Sequence, residues 1–246
     1  MTAVLVIAGS DSSGGAGLVQ DVRTLARFGA RVMCAVTAVT VQSDSRVTAV
    51  HPVPPDTVRA QIEAALATGR VGAIKIGMLA TRAIALAVAA CLPPREQVPI
   101  VLDPVLASSS GAALLDAGGR EALRESLVPR ATLVTPNIPE AAALLGTEPA
   151  TSEEELLRQA HAWLALGPAA VLIKGGHGSA SEAVDLLLSA GRPPRRLIAP
   201  RIAKTQRGTG CALASGIAAG LAAGLELGDA CARARRHVLE LLQQGE

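Results

Sequence analysis

The sequence has 246 residues, half of them hydrophobic, which suits one large α/β domain spanning 1–246. Charged residues make up 18% and the net charge is +2, so no basic surface of nucleic-acid-binding strength stands out. Aromatic residues, which stack on unpaired bases, make up only 1%. We therefore expect no nucleic-acid partner.

The four cysteines are widely spaced and form no C-x-x-C pair: Cys34, Cys91, Cys211 and Cys231. This spacing predicts neither a zinc site nor a disulfide framework, and reduced cysteines suit a cytoplasmic protein. Cys34, Cys91 and Cys231 stand in apolar or Ala-rich surroundings, so we expect them to be inert. The apolar run 3–8 is too short for a signal peptide and lacks a basic region before it.

Strands and helices alternate along most of the chain. Strands are predicted at 3–8, 32–41, 73–76, 100–102, 133–135 and 170–174. Helices are predicted at 17–28, 56–68 with Asp56 as N-cap, 81–91, 119–127, 139–145 and from 151 to near 167. The runs 183–189 and 195–200 suit an antiparallel pair. Helices 209–225 and 228–243 follow. The fold class is α/β, with a mostly parallel central sheet, helices on both faces and an antiparallel edge near 183–200.

The uncharged segment 208–225 has glycines at every fourth position from Gly216 to Gly224, as membrane helix pairs do. Its large aliphatic residues recur in the same way from Leu213 to Leu225, on one helical face. The remainder is mostly Ala and Gly. This pattern favours a buried helix that packs closely through glycine, and we expect no membrane association.

Ligands of such sheets bind at the carboxyl ends of the strands. Polar and glycine-rich runs stand there in this sequence: 9–17, Gln42, 75–78, 103–105, 135–140 and 174–177. The first of these lacks both phosphate-loop patterns and by itself predicts a tight turn. Asp21, one turn into the next helix, is consistent with an ordinary exposed acid or with a group that binds a polar ligand.

Three side chains could organise Mg²⁺ and phosphate. Asp103 ends an apolar strand, where it could hold Mg²⁺ or simply be a turn residue. Asn137 and Glu140 share a helical face, where they could position hydrated Mg²⁺ or form an N-cap with a first-turn acid. Both readings remain open for each residue.

Lys174 ends a strand beside two glycines, a good position for a cation that contacts phosphate, although a solvated lysine is the simpler reading. Gln42 carries both a donor and an acceptor and could read an amide-like or pyrimidine edge. Met78 could pack on a ring face or lie in the core.

The run Gly208-Thr209-Gly210-Cys211 leads into an Ala-rich helix. Such a start presents unpaired N–H groups and the positive end of the helix dipole, which suits a phosphate. The dipole should also favour the thiolate of Cys211. With Lys174 and the carboxylates, this indicates phosphoryl transfer from a Mg-nucleotide.

These motifs, in this order, resemble the hydroxymethylpyrimidine/phosphomethylpyrimidine kinases of the ribokinase-like superfamily. The resemblance covers nearly the whole chain. Most of the superfamily has aspartate where Cys211 stands, whereas cysteine is similar to the pyrimidine kinases and to their pyridoxal-kinase relatives. The alternatives are a pyridoxal kinase and a non-catalytic pyrimidine sensor.

The resemblance implies ATP and Mg²⁺ as cofactors, a pyrimidine alcohol and then its monophosphate as substrates, and a homodimer. Asp103, Asn137 and Glu140 would organise Mg²⁺, and Lys174 would contact phosphates together with Asn137, Arg207 and Thr209. Amides of 208–211 would form the anion hole, and Cys211 would be the base. The pyrimidine pocket would be lined by Gly9, Ala16, Asp21, Thr40, Gln42, Met78 and Val105.

Two departures from the family are visible. Thr205-Gln206-Arg207 stands where the family often has Asn-Thr-His, so we expect Arg207 to bring an extra cation towards the phosphates. The family often continues with a His- and Pro-containing tail where this sequence has Gln244-Gly245-Glu246.

Overall fold

The computed structural model describes residues 3–175, 182–202 and 206–244. Its strands form one sheet in the order β3-β2-β1-β4-β5-β6-β7-β8-β9. The strands are β1 Ala3–Asp11, β2 Arg31–Gln42, β3 Val47–Pro52, β4 Val71–Ile76, β5 Ile100–Leu102, β6 Leu133–Val134, β7 Ala170–Ile173, β8 Glu182–Ser189 and β9 Arg195–Pro200.

Helices separate these strands in sequence. The α-helices are α1 Gly17–Arg27, α2 Pro55–Leu66, α3 Arg82–Cys91, α4 Ala117–Ala122, α5 Ile138–Leu145, α6 Glu153–Ala165, α7 Thr209–Ala222 and α8 Leu227–Gln244. Helix α4 continues into a π-helical stretch, Leu123–Leu127, and a 3-10 turn, Val128–Arg130. The predicted helix 119–127 is therefore two kinds of helix.

The strands from β2 to β7 in the sheet order pair in parallel, and the sheet has two antiparallel edges. The edge formed by β8 and β9 confirms the prediction for 183–200. The other edge, β3 paired with β2, was not predicted from the sequence.

Helices cover both faces of the sheet, as predicted. Successive residues of β1 point to opposite faces: Leu5 and Ile7 join the core beneath α2, α3, α5 and α6, whereas Val4 and Val6 join the core beneath α1, α7 and α8. A strand buried on both sides is apolar at every position, which explains the continuous apolar run of β1.

Two helices begin at a side-chain cap of the kind that their sequence predicts. The side chains of Thr81 and Ser152 accept hydrogen bonds from backbone N–H groups three residues on. The prediction that Asp56 caps α2 was wrong, because Pro54 occupies the N-cap position and Asp56 lies in the first turn, paired with Arg59 at 2.7 Å.

Helices α7 and α8 pack closely through glycine, as predicted. A Cβ atom at Gly220 would lie 2.8 Å from Cβ of Ala230, and one at Gly216 would lie 3.0 Å from Cβ of Ala234. Gly224, by contrast, lies beyond the end of α7 with a φ of 83°. In the described parts of the chain, no helix combines the length and the apolar character that crossing a membrane requires.

Candidate active site

A cavity of about 1000 Å³ lies where the parallel strands reach their carboxyl ends. The motifs that the sequence places at consecutive strand ends meet there. The predicted site residues that line it are Gly9, Ala16, Thr40, Gln42, Met78, Asp103, Val105, Asn137, Glu140, Lys174, Arg207, Gly208, Thr209, Gly210 and Cys211. Asp21 is the predicted site residue that does not line it.

Lys174 lies at the centre of the charged groups of the cavity. Its Nζ donates to Oδ1 of Asp103 at 3.0 Å and lies 3.8 Å from Oε2 of Glu140. The hydroxyl of Thr135 also donates to Oδ1 of Asp103, at 3.3 Å. Burial alone would lower the pKa of Lys174, but the carboxylates of Asp103 and Glu140 outweigh it and raise that pKa, so Lys174 is a cation.

Asn137 and Glu140 form a reciprocal capping box at the start of α5. Oδ1 of Asn137 accepts from the N–H of Glu140 at 2.7 Å, and Oε2 of Glu140 accepts from the N–H of Asn137 at 2.8 Å. The N-cap reading is therefore confirmed. A parallel bridge between Asn137 and Lys174 brings the box beside the lysine.

The carboxylates fit a magnesium ion that is shared with a phosphate. Among the described residues, no three His, Cys, Asp or Glu side chains cluster as a protein-only metal site. Mg²⁺ bound with substrate phosphates needs only one or two protein carboxylates. Asp103 and Glu140 face the same point, because both approach Nζ of Lys174. Burial raises the pKa of Glu140, as the Asp103 charge does, against the opposing effect of Lys174.

The first turn of α7 presents backbone N–H groups to these charges. Gly208 is the N-cap, with a φ of 76°, and Ala212 is the first residue whose N–H bonds back, to the carbonyl of Gly208 at 2.8 Å. The N–H groups of Thr209, Gly210 and Cys211 therefore precede the helical ladder. A Cβ atom at Gly210 would lie 3.2 Å from Nζ of Lys174, so glycine there allows the lysine to approach the helix start.

Cys211 is a thiol, contrary to the predicted thiolate. Burial raises its pKa to about 11, although the ammonium group of Lys75 and the N–H of Gly17 lower it. Asp21 and Asp103 add negative charge nearby and raise the pKa further. The sequence showed the helix start but not the depth at which the sulfur lies.

Asp21 is buried behind the cavity wall and is not the exposed acid of the simpler reading. Its carboxylate accepts from Nζ of Lys75 at 2.8 and 2.9 Å and from the hydroxyl of Ser215 at 2.7 Å. Both charged side chains are 0% exposed. Lys75 itself borders the cavity. A role for Lys75 could not be predicted from the sequence, because its partner lies 54 residues away.

Gly9, Thr40, Gln42 and Met78 form one part of the cavity lining. A Cβ atom at Gly9 would lie 2.8 Å from Sδ of Met78, so the glycine leaves room for the methionine. The hydroxyl of Thr40 lies 3.1 Å from the carbonyl of Ser10 and 3.3 Å from Oε1 of Gln42, which holds the glutamine amide.

Arg207 connects three loops through hydrogen bonds, and its charge is paired with carboxylates. Its guanidinium donates to Asp11 and Ser13 at 2.8 Å each, and to the carbonyl of Ser43 and to Asp44 at 3.1 and 3.2 Å. Two carboxylates thus compensate the charge that we expected to serve phosphates. The sequence could not show this, because the partners lie more than 160 residues away.

Strand β9 and helix α8 form an apolar end of the cavity that was not predicted from the sequence. Pro200, Val238, Leu239 and Leu242 line it. Nearby, Asp185 accepts from the N–H of Gly175 at 3.0 Å and from Nε of Arg235 at 2.6 Å. The positions of Val238, Leu239 and Leu242 on one side of the last helix were the pattern from which this apolar end could have been predicted.

Parts of two predicted loops, Gly176, His177 and residues 203–205, lie outside the described residues.

Of the other cysteines, Cys34 is exposed, contrary to the expectation of an apolar setting, Cys91 is partly buried and Cys231 is buried. Burial raises the pKa of the Cys91 and Cys231 thiols.

A mostly parallel three-layer fold, with the exposed N–H groups of a helix start facing a lysine and two carboxylates, defines a small-molecule kinase of the ribokinase-like class. The family model described as phosphomethylpyrimidine kinase matches residues 11–246. The chain therefore belongs to the phosphomethylpyrimidine kinase family.

Three relatives illustrate this membership. A hydroxymethylpyrimidine/phosphomethylpyrimidine kinase of Salmonella typhimurium is 39% identical over 98% of this chain and 91% of its own length. A thiamine biosynthesis bifunctional protein of Geobacter sulfurreducens is 42% identical over 96% of this chain, which spans 48% of that longer protein. The pyridoxal kinase of Staphylococcus aureus, solved with AMP-PCP and pyridoxal, is 32% identical, with a TM-score of 0.89 over 100% of this chain and 89% of its own.

Proposed function

We propose that this protein transfers the γ-phosphoryl group of ATP to the hydroxymethyl group of 4-amino-5-hydroxymethyl-2-methylpyrimidine, and then phosphorylates the monophosphate, in thiamin biosynthesis. The observation that carries this proposal is the approach of Lys174 to the first turn of α7. A Cβ atom at Gly210 would lie 3.2 Å from Nζ of Lys174, while Asp103 and Glu140 face the same lysine. A relative with this architecture binds AMP-PCP.

The cavity offers separate ends for the two substrates. The apolar end beside α8 suits the adenine ring, and the Met78–Gln42 end suits the pyrimidine, whose ring edge the Gln42 amide would read. The charged centre lies between them and receives the phosphates. Lys174, Asn137 and Thr209 would contact these phosphates, and Arg207 would hold the surrounding loops in place.

Asp103, Asn137 and Glu140 are the residues that would hold Mg²⁺. When bound, Mg²⁺ supplies neutralising charge between the phosphates. The chain's own contribution is orientation and charge: Lys174 binds phosphate oxygens, and the N–H groups of 208–211 stabilise the negative charge of the group in transfer.

The hydroxyl proton of the acceptor needs a base. Cys211 lies on the first turn of α7, beside the N–H groups of the proposed anion hole, and we assign the proton to its thiolate form. Phosphoryl transfer passes through a loose transition state, so little base assistance is needed before attack. The anion hole and Lys174 therefore supply most of the rate, and Cys211 a smaller share.

Steady-state ADP release with ATP, Mg²⁺ and the pyrimidine alcohol tests the proposal. The expected result is ADP release that depends on the alcohol and falls about a hundredfold or more in Lys174→Met. Arg196→Met is the control: it also replaces a cation with methionine, but at an exposed ion pair with Glu153. It should leave the rate of ADP release unchanged. No alcohol-dependent ADP release in wild-type protein would overturn the proposal.

A pyridoxal kinase is the second candidate, because the fold matches the pyridoxal-bound enzyme of Staphylococcus aureus closely. Both acceptors carry a hydroxymethyl group on a nitrogen heterocycle, so the same cavity could admit either. A higher kcat/KM for pyridoxal than for the pyrimidine would support this candidate instead.

We also propose a homodimer and a cytoplasmic location. Val39 and Val41 lie on one face of β2, 48% and 49% exposed, where a second copy of the chain would cover them. The four cysteines, all free, suit a reducing compartment.

A further inference from the structure

A buried ion pair lies directly behind the phosphoryl-transfer end of the cavity. Lys75 of β4 donates to both carboxylate oxygens of Asp21, and neither side chain is exposed to solvent. Removing two charges from water costs several kcal/mol per ion unless their geometry and hydrogen bonds compensate. Two apolar residues would fill the same volume without that cost. Packing alone therefore does not explain why Lys75 and Asp21 stand at these positions.

The pair connects three elements that meet beneath the site. Lys75 comes from the central strand β4, and Asp21 comes from α1, one turn after Gly17. The hydroxyl of Ser215 in α7 donates to Oδ1 of Asp21 at 2.7 Å. The carboxylate therefore accepts three hydrogen bonds, two from Lys75 and one from Ser215, and is fixed by β4 and α7 at once.

Cys211 lies one helical turn before Ser215, on the same face of α7. The N–H of Gly17 in α1 lowers the pKa of the Cys211 thiol, and Asp21 of α1 accepts from Ser215 one turn later, so α1 faces both of these turns. The charged groups that face the sulfur come from every neighbouring element: Lys75 from β4, Asp21 from α1, Asp103 after β5 and Lys174 after β7. Lys75 borders the cavity, and a Cβ atom at Gly77 would lie 2.8 Å from its Nζ.

We propose that Lys75 is a positioning residue for phosphoryl transfer. With Asp21 and Ser215 it fixes the first two turns of α7, and its ammonium group supplies the positive charge that faces Cys211 from the cavity floor. The assignment rests on the proposed function only for the name of the reaction, since the contacts on which it depends are all between residues of the protein itself.

Alkylation of Cys211 by iodoacetamide, followed by mass spectrometry of the peptide that contains it, tests the charge directly. Lys75→Met leaves the Asp21 carboxylate facing the sulfur and should slow alkylation about tenfold or more at pH 8.5. Asp21→Asn leaves the ammonium group uncompensated and should speed it by a similar factor. Cys91, which faces Glu63 and Arg59 instead, is the internal reference in the same digest.

The decisive result is that the two variants change the alkylation rate of Cys211 in opposite directions. If the pair only held α7 in place, both variants would loosen it, and alkylation of Cys211 would accelerate in both. That outcome, or an unchanged rate in both, would overturn the proposal. Because alkylation needs neither ATP nor a pyrimidine, its outcome is independent of whether the proposed acceptor is right.

Lys75→Met could fail to fold, because it leaves a buried carboxylate without its cation. The double variant Lys75→Met/Asp21→Asn removes both charges at similar volume. It should alkylate at a rate between the two single variants while kcat falls at least tenfold and KM for ATP changes less than threefold. Ser215→Ala, which cuts the link to α7 without changing charge, should lower kcat with little change in alkylation. Wild-type kcat in both of these variants would contradict the positioning role.

Discussion

Single residues in this cavity take their chemical state from partners distant in sequence. Cys211 shows this most clearly. Its place at a helix start favours a thiolate, but burial dominates and raises its pKa to about 11. The motif could be read from the sequence, whereas the depth of the sulfur and its neighbours Lys75 and Asp21 could not. The same holds for Arg207, whose carboxylate partners lie on two other loops.

The protonation state of Cys211 predicts a pH dependence of the reaction. A base acts only when it is deprotonated, so a group with a pKa of about 11 becomes more available as the pH rises towards that value. If Cys211 takes the proton, kcat should rise with pH between about 7 and 9.5, by less than about tenfold per pH unit because the anion hole and Lys174 supply most of the rate.

Cys211→Ala provides the control for that profile. Its kcat should be lower than that of wild type at high pH and should no longer increase with pH. A wild-type profile that is flat over this range, or a variant that keeps the rise, would remove Cys211 from proton transfer and leave the anion hole and Lys174 as the catalytic groups.

Glu140 should lower the stability of the ligand-free protein at neutral pH. Its folded-state pKa is raised above the ordinary 4.5, first by burial, so ionisation costs more in the folded than in the unfolded chain. This penalty is absent below the ordinary value and grows as the pH rises through the window between the two pKa values.

Glu140→Gln removes the penalty and keeps an oxygen for the N–H of Asn137. Its Tm should exceed that of wild type at pH 8, and the difference should shrink towards pH 4, while ADP release falls. Thermal unfolding at several pH values measures this. A variant less stable than wild type at pH 8 would show that Glu140 stabilises the fold through Lys174 instead.

Elements were largely predictable where their patterns are local. The parallel strands, the late antiparallel pair and the order of helices follow from periodicity and turn residues. Strand β3 was missed because Val47–Pro52 is a short edge strand, which begins after a polar turn and ends in proline. It pairs with β2 as a hairpin across the connection 43–46, but the register shifts between Val41 and Gln42, so the pairing interrupts the regular alternation that a sequence pattern would show.

The contact between α7 and α8 makes glycine necessary at position 220. Alanine is a better helix former by about 1 kcal/mol. However, its Cβ would lie 2.8 Å from Cβ and 3.1 Å from Cα of Ala230, so α8 must move. Overpacking of this kind costs about 1–3 kcal/mol. Gly220→Ala should therefore lower Tm and, by displacing α7, reduce kcat.

The double variant Gly220→Ala/Ala230→Gly moves the methyl group across the interface. It should recover part of the lost Tm, since the close contact with Cβ is removed. Equal stability of Gly220→Ala and wild type in thermal unfolding would show that the interface yields without strain.

For the molecule as a whole, the exposed valines of β2 predict self-association. Val39 and Val41 point away from the cavity, since Ala38 packs against Met78 and Thr40 lies at the cavity wall. Replacing both valines with lysine should shift a dimer to a monomer in sedimentation velocity without lowering Tm. Ile198→Lys, at another exposed apolar residue, is the control. A dimer that survives the double replacement would place the interface elsewhere.

The proposed reaction of the whole molecule is phosphoryl transfer from ATP to a pyrimidine alcohol. The most direct measurement is kcat/KM for the pyrimidine alcohol and for pyridoxal, side by side on the same protein with product identified by mass. We expect a phosphorylated pyrimidine and a kcat/KM for the pyrimidine that is at least tenfold higher than that for pyridoxal. A higher kcat/KM for pyridoxal, or no phosphorylated pyrimidine, would contradict it.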